Sequence, residues 1–225
     1  MKKSILVAFL ICITSVSGYS QIDEDKLGAW YMYFWNTTFN DSKWGLQGDL
    51  QHRNWNIAGD LEQILLRGGL TYKATDQALL TLGYGNITTG AYGDSDDTFN
   101  ESRIYQEVLL GHKISKWVRL KHRFRYEQRW ASDTDFRTRY RYNLFMTIPL
   151  TQKLLAKGGL YLSFYNELFI SGIRSEGAPV FDRNRFYGAV GYAIHNNHKV
   201  QLGIMQQSTN NWTKNQLQLS VHSTL

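Results

Sequence analysis

The residues most able to do chemistry in this chain are charged, mainly basic side chains at every second position of residues 119–129 and 137–141. Rings of Arg and Lys favour anions in membrane pores. A cluster of like charges also needs counter-charges, water or a bound anion. We interpret the stripe and its neighbours as a lumen charge network that comprises Arg103, Glu107, Arg119, Lys121, Arg123, Arg125, Glu127, Arg129, Arg137, Arg139 and Arg141.

The residues between these charges are mainly apolar or aromatic, as at Leu120, Phe124 and Leu144. A repeat of two predicts β-strands, because successive side chains of a strand point to opposite faces of the sheet. The alternating runs are about twice as long as the ~5–6 residues of an ordinary strand. They match the ~9–11 residues of a tilted strand that crosses a bilayer. The charged face is therefore predicted to line a lumen, with the apolar face in lipid.

Alternation along the rest of the chain predicts an all-β fold, an antiparallel transmembrane β-barrel of about 10–12 strands. We count eleven candidate strands, but a bacterial single-chain barrel normally has an even number, so ten or twelve are expected. The candidate at residues 27–39 is the one in question, because both of its faces are apolar. Outer-membrane barrels have short periplasmic turns and longer extracellular loops. We assign short turns near residues 75, 115, 151 and 196, and longer or more polar loops near residues 57, 94, 133, 176 and 210.

Tryptophans near the predicted strand ends fit the aromatic girdles that flank the apolar band of a membrane barrel. The mean hydropathy of -0.39 does not oppose a barrel, because only alternate residues of each strand face lipid. No segment after residue 20 approaches the ~18 consecutive apolar residues of a transmembrane helix. The predicted girdle comprises Trp44, Trp55, Trp117, Trp130 and Trp212.

The start of the chain predicts a secretory address. Lys2 and Lys3 precede a short apolar run and then small residues up to Ser20, which is the pattern of a cleaved signal peptide. We therefore divide the 225 residues into a signal peptide, 1–20, and one barrel domain, 21–225, in the bacterial outer membrane. A lipoprotein signal is disfavoured, since Ile11 precedes Cys12 where a small residue is expected.

The composition excludes several classes of function. Cys12 is the only cysteine and lies in the predicted signal peptide, so the mature chain has no disulfide or thiolate–metal site. The formal charge of +6 falls to +4 when Lys2 and Lys3 are removed. Nucleic acid is not an expected partner of a secreted chain with its arginines spaced along strands. Outer-membrane lipid is the expected partner, and small anions are candidate ligands of the lumen.

Three segments of the sequence resemble an uncharacterised bacterial family, domain of unknown function 2490 (DUF2490). They are residues 101–106, 122–129 and 139–142, of which the run His-Arg-x-Arg-x-Glu-x-Arg is the most specific. The resemblance covers nearly all of the mature chain and implies an outer-membrane barrel. It implies no known activity, substrate or catalytic residue. The chain departs from the aromatic C-terminus common in such barrels, because it ends in Leu225.

Three functional hypotheses follow from the stripe. The first is a structural or narrow-channel barrel, whose lumen is closed by Arg–Glu pairs because a small lumen fills with side chains. The second is a porin-like, anion-selective pore or small-solute transporter. The third is a hydrolase with its site at the extracellular rim, although no Ser–His–acid arrangement is readable. We predict no catalytic residue, cofactor or metal, and interpret Asp94, Asp96 and Asp97 as a solvated loop rather than a calcium site.

Overall fold

The structure, a computed structural model, describes residues 22–93, 97–115, 117–132, 134–151 and 156–225. The predicted signal peptide, Asp94, Asp96 and the predicted strand start at Leu154 lie outside these residues. The described chain is all-β, as predicted, because it forms strands and connections only. Its described residues contain no helix that is long and apolar enough to cross a membrane. The strands are β1 (Gly28–Thr38), β2 (Trp44–Asn54), β3 (Leu61–Lys73), β4 (Ala78–Gly90), β5 (Thr98–Lys113), β6 (Arg119–Ala131), β7 (Thr134–Pro149), β8 (Leu160–Ser171), β9 (Phe181–His195), β10 (His198–Ser208) and β11 (Thr213–Thr224).

The strands close into one barrel in which each pairs with its neighbour in sequence. All these neighbours are antiparallel, and the barrel is closed by a parallel pair between β1 and β11. The register of this seam runs from Gly28 opposite Gln216 to Asn36 opposite Thr224. The expected even number is therefore wrong for the described chain, which has eleven strands. An odd number of up-and-down strands makes the first and last strands run the same way, and a parallel pair then closes the ring.

The candidate strand at residues 27–39, whose assignment was in question, is a full member of the barrel as β1. Its two apolar faces have different surroundings. Trp30 is buried inside the barrel, whereas Tyr31 and Tyr33 are more than one-third exposed on the outer face. Both faces are apolar because one packs in the interior and the other covers the outside.

The two ends of the barrel are named after the chain termini beside them. The N-terminal end lies at Gly28 and contains the connections 55–60, 91–97, 132–133, 172–180 and 209–212. The C-terminal end lies at Thr224 and contains the connections 39–43, 74–77, 114–118, 150–159 and 196–197. The connections have two to nine residues at the N-terminal end and two to ten at the C-terminal end, so the predicted contrast between short and long loops is wrong. Pairing extends further than the sequence pattern indicates at residue 131, which lies opposite residue 134. At residues 156–159, by contrast, the chain turns and β8 begins later than predicted.

Side chains fill much of the lumen. An apolar cluster on one side contains Trp30, Tyr187, Ala189 and Met205, all buried, with Tyr165 packed against it. The remaining interior is mainly polar, and arginines and carboxylates are prominent among its buried side chains. The core of this barrel is therefore its lumen, and its outer wall is the apolar surface.

Candidate functional site

Strands β5 to β9 place the charged side chains of the lumen against one another. Strand pairing sets Arg125 opposite Glu107 of β5 and Arg141 of β7. It also sets Glu127 opposite Arg139. Side chains of directly paired residues lie close enough to interact, so the register places acids beside arginines across the sheet.

Glu127 is the most enclosed carboxylate of this region, with 1% of its surface exposed. Arg139 Nη2 donates to its Oε2 at 2.7 Å, and Arg141 Nη1 donates to its Oε1 at 2.6 Å. Arg125 Nη1 lies 3.8 Å from the same Oε1. Glu127 therefore joins three arginines from β6 and β7.

Three other carboxylates extend these contacts into an ion-pair layer, which we define as Glu107, Glu127, Glu167, Asp182 and the arginines that they bind. The pairs share arginines, so the contacts are continuous from β5 to β9. The layer contains Glu107 with Arg125 at 2.5 Å and Arg123 at 3.7 Å, Glu167 with Arg123 and Arg141 at 2.6 Å each, and Asp182 with Arg139 at 3.0 Å and Arg183 at 2.7 Å.

Glu101 forms a separate cluster nearer the N-terminal end. It accepts two hydrogen bonds of 2.8 Å from Arg129 and one of 3.4 Å from Arg137. Arg103 pairs with the same carboxylate. One buried acid thus serves three arginines, which leaves this cluster positive.

The structure brings together nine of the eleven residues in the predicted lumen charge network and separates two. Seven arginines of the predicted network contact Glu101, Glu107, Glu127 or Glu167, namely Arg103, Arg123, Arg125, Arg129, Arg137, Arg139 and Arg141. Arg119 departs from the prediction because it is the first residue of β6 and is exposed at the C-terminal end. Lys121 also lies near this end, with no carboxylate within 4.0 Å among the described residues.

The interior also contains charged residues that the predicted network omits. Arg67 Nη2 donates to Asp49 Oδ2 at 2.9 Å, a pair between β2 and β3. Alternation on those strands places both residues on the inner face and could have found them. Asp182 is harder to find from the sequence, because it stands at the start of β9, next to the connection 172–180. The omitted charged residues include Asp49, Arg53, Glu62, Arg67, Asp182, Arg183, Arg185 and Lys214.

Two buried aromatic rings support the arginines. The guanidinium carbons of Arg141 and Arg185 lie 4.5 and 4.8 Å from the ring centroid of Phe169. Arg53 lies 3.8 Å from the ring centroid of Trp30. The negative face of an aromatic ring attracts a guanidinium group, so these rings help to hold cations in the interior.

A vestibule of about 520 Å³ lies between the ion-pair layer and the C-terminal end. Its lining combines aromatic side chains, such as Trp35 and Tyr161, with the cations Lys121, Lys199 and Arg123. Arg67 and Arg125 border it on the side of the barrel middle. The vestibule is therefore a polar cavity with a basic wall, of a size that suits a small solute.

The predicted girdle tryptophans divide into two groups. Trp44 and Trp117 lie near the C-terminal end and Trp130 near the N-terminal end, each more than 40% exposed. Trp55 and Trp212 lie in connections at the N-terminal end and are half-buried. Their ring centroids are 6.3 Å apart in an edge contact. These two rings therefore pack on each other instead of standing alone on the outer wall.

Two serine–histidine contacts bear on the hydrolase hypothesis. Ser220 Oγ lies 3.0 Å from His222 Nε2, and Ser223 Oγ lies 2.9 Å from His198 Nδ1. A catalytic triad needs an acid that orients the histidine. The charged groups that act on His222 are Lys199 and Lys121, both cationic. The described residues also contain no group of three or more His, Cys, Asp or Glu side chains placed to hold a metal.

Comparison with known proteins places this site in a family. The family described as "Protein of unknown function (DUF2490)" matches residues 27–218. The chain belongs to this family. The DUF2490 resemblance seen in the sequence is therefore confirmed, and the matched range contains every residue of the ion-pair layer.

A curated relative of this DUF2490 chain is an uncharacterized protein of Methylorubrum extorquens. The two are 30% identical over 169 residues, which are 71% of this chain and 69% of the relative. No solved structure gives a significant match. Function must therefore be argued from the geometry of the barrel itself.

Proposed function

We propose that this DUF2490 chain is an outer-membrane β-barrel with a lumen closed by ion pairs and a mainly structural role. The observation that carries the membrane location is the outer wall. Large apolar side chains are exposed around the barrel, including Leu66 at 62%, Leu82 at 57% and Phe186 at 59%. Soluble monomers rarely expose apolar patches beyond a few hundred Å². An apolar outside around a charged inside is the arrangement of membrane barrels.

The closed lumen rests on the ion-pair layer and the apolar cluster beside it. Buried Arg139 and Arg141 bind the buried acid Glu127, and Phe169 packs under them. On the other side Trp30 and Tyr187 fill the space. Such a barrel holds its shape through its lumen side chains and offers no wide aqueous path through the middle.

We expect the protein to fractionate with outer membranes and to be heat-modifiable on gels. A closed barrel resists detergent at room temperature and unfolds on boiling, so its electrophoretic mobility should change between the two samples. Membrane fractions from cells that express the full chain should contain the protein, with a periplasmic protein as the fractionation control. Recovery in the soluble periplasmic fraction would contradict the membrane location.

We also expect little or no steady conductance from the purified barrel in planar bilayers. The ion-pair layer obstructs the lumen, and moving an ion past paired, buried charges requires that they be separated. The measurement is single-channel recording in salts of different anions, with protein-free detergent as the control. Stable, anion-preferring steps would refute the closed lumen and support the pore.

An anion-selective pore or small-solute transporter is the second candidate, and the vestibule supports it. Within the described residues, Lys121 and Lys199 have no carboxylate within 4.0 Å. Arg123 Nε is buried without a hydrogen-bond partner. These groups could draw an anionic solute into the vestibule, and passage would then need a rearrangement of the layer below it.

A further inference from the structure

A small cavity in the middle of the barrel is walled mainly by arginine. Its volume is about 50 Å³, and Arg67 borders both this cavity and the vestibule. Among the described residues no carboxylate belongs to its wall, and Gln63, Leu65 and Phe169 are the lining residues that are not arginine. We call it the arginine cavity; its wall contains Arg53, Arg67, Arg103, Arg129, Arg139, Arg141, Arg183 and Arg185.

The carboxylates around this cavity are too few to neutralise its arginines. Within the described residues, the eight guanidinium groups have only five carboxylates within 4.0 Å, namely Asp49, Glu101, Glu127, Glu167 and Asp182. Three of the five are shared with arginines outside the wall: Glu101 with Arg137, Glu127 with Arg125 and Glu167 with Arg123. Buried Glu62 also acts electrostatically on Arg53, Arg183 and Arg185, which gives six carboxylates for the eight arginines. The wall therefore has an excess of at least two positive charges, in a region with little contact with solvent.

Arg53 shows the deficit most directly. It is 6% exposed, and its guanidinium donates to two neutral acceptors, Gln51 Oε1 at 2.6 Å and Gln63 Oε1 at 2.9 Å. No carboxylate lies within 4.0 Å of it among the described residues. Arg185 is similar, because it donates to Gln207 at 2.6 Å and its nearest carboxylate, Glu167, is 4.0 Å away. Glu62 lies further away and acts electrostatically on both, so these two buried arginines share one additional acid. A buried charge without a full counter-charge is costly, so the two arginines point to a missing anion.

We propose that the arginine cavity binds a small inorganic oxyanion such as phosphate or sulfate. Planar guanidinium groups donate paired hydrogen bonds to such oxygens, and charge-assisted bonds of this kind are the strong ones. About 50 Å³ exceeds the ~10–15 Å³ that one water needs, which leaves room for a compact ion and excludes a large organic one. The bound ion holds together arginines from β2, β3, β5, β6, β7 and β9 as an inner brace of the barrel.

The first test uses the wild-type barrel, purified in detergent. Anions released by denaturing the protein are identified by ion chromatography, and labelled phosphate is then titrated onto anion-depleted protein. We expect one bound oxyanion per chain. We also expect the thermal unfolding midpoint to rise with phosphate but not with gluconate at equal ionic strength, because gluconate is too large for the cavity.

The second test compares Arg53→Gln with the control Arg174→Gln, which removes an exposed arginine from the connection between β8 and β9. Arg53→Gln should weaken phosphate binding about tenfold or more, since a hydrogen bond to a charged group contributes at least the energy of a tenfold change. The rise of its unfolding midpoint with phosphate should be smaller than that of the wild type, because one arginine fewer holds the ion. Arg174→Gln should bind like the wild type.

Arg185→Gln repeats this test from another strand if the Arg53 variant does not fold. A wild-type protein that neither releases nor binds an oxyanion would overturn the proposal. So would unchanged phosphate affinity in a folded Arg53→Gln or Arg185→Gln protein, or equal stabilisation by gluconate. These readouts do not depend on conductance or on membrane fractionation, so the anion site can fail while the proposed function stands, and the reverse.

Discussion

Replacing Glu127 by glutamine is expected to lower the free energy of unfolding by about 3 kcal/mol. Removing one partner of a buried ion pair typically costs ~3–5 kcal/mol, because the other charge is left uncompensated. Glu127 is 1% exposed and binds Arg139 and Arg141 at 2.7 and 2.6 Å. The lower end of the range applies because Arg139 retains Asp182 and Arg141 retains Glu167. Denaturant unfolding of the detergent-solubilised barrel, followed by tryptophan fluorescence, measures the difference.

The matched control is Glu176→Gln, which makes the same change at an exposed site between β8 and β9. Its stability should stay within ~0.5 kcal/mol of the wild type, as for most surface substitutions. The Glu127 variant also separates the two functional candidates. An unchanged unfolding midpoint together with a higher anion conductance would mean that Glu127 lies in a wet pore wall instead of a closed layer.

Replacing Phe124 by arginine is expected to lower the free energy of unfolding in a lipid bilayer by about 2–4 kcal/mol. This is the penalty for a charge near the bilayer midplane on the outside of a barrel. Phe124 is 48% exposed on the outer face, and its neighbours Val108 and Tyr142 lie across the adjoining strands. It lies near the middle of β6, whereas Leu120 is the second residue of that strand and so lies near the rim. The measurement is reversible unfolding from lipid vesicles.

Ile173→Arg is the control for the outer wall. Ile173 is also exposed, at 55%, but lies in the connection at the N-terminal end. Charge is tolerated near the membrane interfaces, where the cost falls to ~0–1 kcal/mol. Equal effects of the two substitutions would show that the outer wall of β6 does not face lipid.

The sequence predicts the strands and their faces well because alternation is a local signal. On β6, Arg125 and Glu127 face the interior and Phe124 faces outward, because successive side chains of a strand point to opposite faces. The family match was also readable from short segments, since the run at residues 122–129 is distinctive. Both signals lie within one or two strands and need no knowledge of how the ring closes.

Closure and the composition of the lumen depend on distant parts of the chain, which alternation does not reveal. Whether the ring has ten, eleven or twelve strands depends on how β1 meets β11, residues nearly 190 positions apart. The arginine cavity likewise gathers Arg53 of β2 and Arg185 of β9. On its own strand, each of these arginines looks like one more inward-facing charge. Their shortage of carboxylate partners is visible only once the barrel is closed.

The parallel seam between β1 and β11 has a consequence for labelling experiments. Because the two strands run the same way, Gly28 and Thr224 lie at opposite ends of the barrel. If the barrel crosses the membrane, an epitope fused before β1 and one fused after β11 face different compartments. Antibody staining of intact cells should then detect only one of them, and the stained terminus reveals which way the protein is oriented.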